Sequence, residues 1–157
     1  MTYLIFSQEP GAPPFEKLAA HGARFFSAKL ELIAQSDDAI EIRMVTTRPP
    51  LHAEFRIAWR ATTKDDLMSA RDAEARGRAA GMAALAEKCA QVWILDAAGS
   101  RASSADAPSE AAFLTLAALC ASVALGPVLP PDGSTLFGVR GAIERRDKSV
   151  ARCAIGR

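Results

Sequence analysis

Residues 108–127 read PSEAAFLTLAALCASVALGP, and between Ala111 and Val139 the chain carries a single charge, Asp132. Pro108 suits a first helical position after Asp106 or Ala107, and Gly126 with Pro127 supplies a stop, so the run predicts a helix over 108–125. A helix that is apolar all the way round must be covered on most of its circumference by its own protein, a partner or lipid. This one is mostly alanine, sits at the short end of the ~17–25 residues of a membrane span, and lacks flanking Lys or Arg anchors. The expectation is a helix packed inside a soluble domain, with small side chains at close helix contacts.

Upstream of it, 91–96 (QVWILD) reads as a buried strand, and 97–107 as a small, polar surface loop. The preceding segment, 65–90, predicts one long helix. Thr63 three residues before Asp66 is a relative of the capping box. Asp72/Arg76 and Glu74/Arg78 stand at i,i+4 on its outer side. Gly77 and Gly81 are costly in a helix interior, so their shared face predicts a close backbone neighbour, the alanine-rich helix at 108–125.

Three runs before that helix alternate with period two. Phe26, Ala28, Leu30 and Leu32 share one face of the first. Ile40, Ile42 and Met44 alternate with Glu41 and Arg43 in the second. Phe55, Ile57, Trp59 and Ala61 alternate with Glu54, Arg56 and Arg60 in the third. Such a pattern describes an antiparallel meander with one face on a core and one in water. A first strand, 3–7, and a last one, 135–139, complete the sheet. The predicted fold class is α+β: a meander within a mixed sheet, with the two main helices packed on one face as a two-layer sandwich. Residues 1–146 form the domain. Residues 147–157 form a frayed basic tail, since 140–157 hold six basic and two acidic residues and few large apolar ones.

The 157 residues suit one domain with an ordinary core, and a net charge of +1 gives the whole molecule no strong pull on polyanions. The segment 1–10 lacks the basic and apolar regions of a secretory signal. Cys89, Cys120 and Cys153 are widely spaced. They form no metal-knuckle or redox pair, and suit a reducing, cytoplasmic compartment. Cys89 and Cys120 fall in apolar patterns and read as buried; Cys153 reads as exposed.

No glycine-rich phosphate loop, metal-binding helix motif or cation loop is present, so no cofactor and no metal are expected. With no catalytic signature, the first functional reading is a non-enzymatic protein-binding module, an adaptor, inhibitor or immunity-type protein. It would act through the charged meander face, with Arg43, Glu54, Arg56 and Arg60 as contacts, or through the apolar helix. A second copy covering that helix would make a homodimer. The alternative is a small hydrolase or transferase using Asp96, at a strand end where catalytic carboxylates often sit, with His52 and loop residues. A third reading is weak nucleic-acid association through the basic residues, which the absence of aromatics beside the arginines disfavours.

Overall fold

In a computed structural model of the chain, which describes residues 1–99 and 107–155, a six-stranded sheet has the order β2-β3-β4-β5-β1-β6. The strands are β1 (Tyr3–Ser7), β2 (Ala28–Gln35), β3 (Ala39–Thr47), β4 (Pro50–Ala61), β5 (Gln91–Ala97) and β6 (Val128–Leu129). The helices are α1 (Phe15–Phe25), α2 (Lys64–Gly77), α3 (Met82–Glu87), α4 (Glu110–Ala124) and α5 (Val139–Ile155). The fold is the expected α+β arrangement with an antiparallel meander, β2-β3-β4. Every ladder among the described residues is antiparallel, so the sheet is not mixed.

The strands fall into two kinds. In β3 and β4 only one face is apolar: Ile42, Met44, Phe55 and Ile57 are fully buried, while Arg43, Glu54 and Arg56 stand on the other side. In β1 and β5 both faces are apolar, and both need cover. Tyr3, Ile5, Trp93 and Leu95 join one core with α1, α4 and α5; Phe6 and Val92 join a second core with α2 and α3. The helices therefore occupy both faces, and the two expected on one face, α2–α3 and α4, lie on opposite sides. Among the described residues, helices cover the second face over β1, β6 and the Val92 end of β5.

α4 is covered by its own chain. All its residues but Glu110, at its exposed start, and Ser122 are buried, against β1, β4, β6, α1 and α5. The Cys120 thiol, on its inner side, is pushed up to about 12 by burial. The motive for a second copy, or for a partner docked on this helix, is therefore gone. Its N-cap is Ser109, whose hydroxyl accepts from the Ala112 N–H at 3.1 Å. Its left-handed C-cap is Leu125, not Gly126. Gly126 serves a different end: a Cβ there would stand 2.0 Å from the Phe6 carbonyl oxygen, so β1 passes only because that residue has none.

Part of that cover comes from the C-terminal stretch; of the residues expected to fray, 147–157, Ser149 is the one buried among those described. Residues 139–155 form α5, which buries Ala142 and Ser149 and packs Val139 and Ile143 against the main core. The expected strand at 135–139 reduces to one bridge, Phe137 to Val128, before α5 begins. The expected long helix at 65–90 breaks in two, with Arg78 (φ 53°) and Gly81 (φ 89°) both left-handed. Gly77 does meet a close neighbour, but it is Thr135: a Cβ at Gly77 would lie 2.0 Å from its Oγ1. Among the described residues no helix is long and apolar enough to cross a membrane.

Candidate functional site

The uncovered part of the second face is a charged lattice built by the registers of β2, β3, β4 and β5. One row runs Glu31, Arg43, Glu54, and the next Glu41, Arg56, Asp96. Signs alternate across each row, because period-2 strands place every second residue here and neighbours on adjacent strands stand opposite one another.

In the first row Arg43 donates through Nε and Nη2 to Glu54 Oε1, at 3.1 and 2.8 Å, and through Nη1 to Glu31 Oε2 at 3.3 Å. The hydrogen bonds to Glu54 are the main reason its guanidinium is held above its ordinary pKa. In the second row Arg56 stands between two carboxylates in register, yet no ion pair joins it to either among the described residues. Asp96 instead accepts from the Thr2 hydroxyl. Val45 is 40% exposed on the same face, as is His52, its partner across the β3–β4 ladder.

Of the expected contact residues, Arg43, Glu54 and Arg56 are brought together and Arg60 is not. The Arg60 guanidinium donates to both oxygens of Asp66, at 2.5 and 2.9 Å. Asp66 also closes a capping box: its Oδ2 accepts from the Thr63 N–H at 2.8 Å and its own N–H donates to the Thr63 hydroxyl at 3.2 Å. Arg60 thus clamps the start of α2 onto β4, which removes it from the contact surface. Its hydrogen bonds are the largest cause holding the Asp66 carboxyl below the ordinary range; burial opposes them and Thr63 assists.

His52 and Asp96 share this face but do not meet. Asp96 is level with Arg56, four positions along β4 from His52, which is about 13 Å at ~3.4 Å per residue. That distance removes the pairing on which the hydrolase or transferase reading rested. Most of the loop invoked beside Asp96, residues 100–106, lies outside the described residues. A histidine–hydroxyl contact occurs elsewhere, His21 Nδ1 to Ser122 Oγ at 3.3 Å, but Ser122 already donates its proton to the Leu119 carbonyl at 2.6 Å. Among the described residues no three His, Cys, Asp or Glu side chains gather closely enough to share a metal ion.

Nor is the basic stretch a solvated tail able to wrap a phosphate backbone. On α5, Arg146 pairs with Asp147 at 3.0 Å and Arg152 with Glu110 at 3.5 Å. Sequence reasoning missed the cleft that α5 forms with the 130–137 connection, lined by Tyr3, Phe137, Arg145 and Lys148 among others. The signal was there in the helical spacing of Val139, Ala142, Ile143, Arg146 and Val150, diluted by the charges between them. Comparison of the chain with protein-family models, with curated proteins and with solved structures finds no match.

Proposed function

We propose that this chain is a non-enzymatic protein-binding module, of the adaptor, inhibitor or immunity kind, that meets its partner with the open half of the sheet's second face. The observation that carries the reading is the contrast on that face: among the described residues, helices cover β1, β6 and the Val92 end of β5, and the meander beside them has no helix over it. Arg43, Glu54 and Arg56 are the contacts, joined by Glu41 and Asp96 and by the exposed apolar side chain of Val45. Alternating rows of fixed charge favour a partner of complementary pattern and penalise a shifted one, so they supply register and specificity more than raw affinity.

The partner binds the face rather than extending the sheet. The free edge, β2, is blunted by a bulge between Leu32 and Ala34 and by the charges of Lys29 and Glu31. At the other edge β6 is only two residues long. With α4 covered internally, that helix gives a second copy no reason to dock on it, and the partner in this reading is a different protein. Three free thiols suit a reducing, cytoplasmic setting.

The test is capture from native lysate with cross-linking, comparing the wild-type chain with a double variant, Arg43→Glu and Arg56→Glu. Arg71→Glu, on α2, is the control. The reading expects a stoichiometric protein partner, cross-linked to β3 and β4, that is lost with the double variant and kept with the control. Equal capture by all three chains, or no stoichiometric partner, contradicts it.

A further inference from the structure

Between α5, the start of α4 and the 130–137 connection lies a cleft of about 700 Å³, within the range of small-molecule sites. Leu136 and Phe137 give it apolar walls. It runs on into a cavity of about 260 Å³ bounded by Tyr3, Leu114, Pro130 and Pro131, and Glu110, Phe137 and Arg145 line both. This site is separate from the charged sheet face.

Its polar groups are unequally satisfied. Arg145 lies with Cζ 4.9 Å from the centroid of the Phe137 ring. A guanidinium held over an aromatic ring keeps its place, and those of its N–H groups that no protein acceptor takes can fork onto an oxyanion. Among the described residues none of those groups donates to a protein acceptor, and neither does Lys148 Nζ, one turn further along the same side of α5. Tyr3 is 3% exposed and lines the inner cavity, and its hydroxyl has no hydrogen-bond partner among the described residues. Burial, with the carboxylates of Glu110 and Asp132, pushes that phenol up to about 12, so at neutral pH it stays a donor.

The carboxylates nearby are mostly engaged. Glu110 is paired with Arg152, and Asp132 accepts from the Ser134 N–H at 3.0 Å. Among the described residues, Glu144 is the unpaired carboxylate on the wall that carries Arg145 and Lys148, and Asp132, held by a backbone N–H and by no cation, adds a second negative charge at the Tyr3 end. Unused donors therefore outnumber unused acceptors, beside an aromatic floor.

We propose that this cleft binds a small organic oxyanion, a carboxylate or phosphate on an apolar body. Arg145 and Lys148 hold the charged end, and the body rests on Phe137 and Leu136. The test is an amide-resolved NMR titration of the full chain with phenyl phosphate, phenylacetate and inorganic phosphate. Variants Arg145→Gln and Lys148→Gln are titrated in parallel, with their unfolding midpoints checked against wild type. Both side chains are exposed, so neither change disturbs the core.

The expected result is saturable shifts confined to Tyr3, residues 110–114 and residues 130–152. At least one aryl probe should bind about tenfold or more tighter than inorganic phosphate, with a similar loss in each variant. The preferred aryl probe identifies the charged group. Three results overturn the proposal: no saturable binding of any probe, unchanged affinity in both variants, or inorganic phosphate binding as tightly as the aryl compounds.

Discussion

The two faces of the sheet are built from the same strands and meet different surroundings. On the first, α1, α4 and α5 bury Ile42, Met44, Phe55 and Ile57 completely. On the second, α2 and α3 bury Phe6 and Val92, then stop at β5. Beyond that line the residues that alternate with Ile42 and Phe55 are Arg43, Glu54 and Arg56. Period-2 alternation records one-sided burial, whereas an unbroken apolar run, Tyr3–Phe6 in β1 and Val92–Leu95 in β5, records burial on both sides. β1 and β5 are of the second kind, and they are where helices lie above and below.

The largest expected effect lies in the covered face. Leu119 is fully buried on α4, and Leu119→Ala should cost about 2–5 kcal/mol in urea unfolding. Val45→Ala, on the open face, should change stability by less than about 0.5 kcal/mol. Equal costs would break the distinction between the faces. Next comes the junction of α4 with β1. Gly126→Ala places a Cβ 2.0 Å from the Phe6 carbonyl oxygen, and should cost about 1–3 kcal/mol or more. A neutral result would mean that β1 does not pass that close.

At the boundary between the covered and open halves, Asp66→Asn removes the carboxylate that Arg60 and the capping box share. It should cost about 0.5–2 kcal/mol at pH 7. The folded state holds this carboxyl below its ordinary range. Its stabilisation is therefore complete above the unfolded aspartate pKa of about 4 and fades as pH falls through the folded value. The gap between wild type and Asp66→Asn should narrow on acidification below about pH 4; a gap that widens would reverse the sign of the linkage. The smallest effect belongs to the open face itself. Arg43→Gln removes an exposed pair network and should leave the thermal midpoint unmoved, whereas Arg60→Gln, four strand positions from Arg56, should lower it.

The meander and α4 were legible because their patterns are strong and local: alternation at Ile40–Ile42–Met44, and a charge-free run closed by Gly126 and Pro127. What escaped was set by tertiary contacts. α2 and α3 read as one helix, since Arg78 in a left-handed conformation leaves no mark in composition, and only Gly81 hinted at the break. Gly77 announced a close approach but could not say that Thr135 makes it. The second half of α5 read as a tail because charges outnumber large apolar residues beyond Arg146, and the covering of Ser149 becomes visible only once α4 is in place beside it. The sheet-face residues Arg43, Glu54 and Arg56 were readable from alternation alone. Arg60 followed the same alternation and was claimed by Asp66. His52 and Asp96 looked combinable because strand register, which sets them about 13 Å apart, is not written in either residue's neighbourhood.

α4 is sealed within a single copy, and the charged half-face is the part of the sheet left open among the described residues. Native-state hydrogen–deuterium exchange of the isolated chain, followed over a dilution series, tests it most directly. The amides of Phe113–Val123 should exchange only through global unfolding, with protection independent of protein concentration, while β2 exchanges faster. Rapid exchange in α4, or protection that grows with concentration, would contradict it.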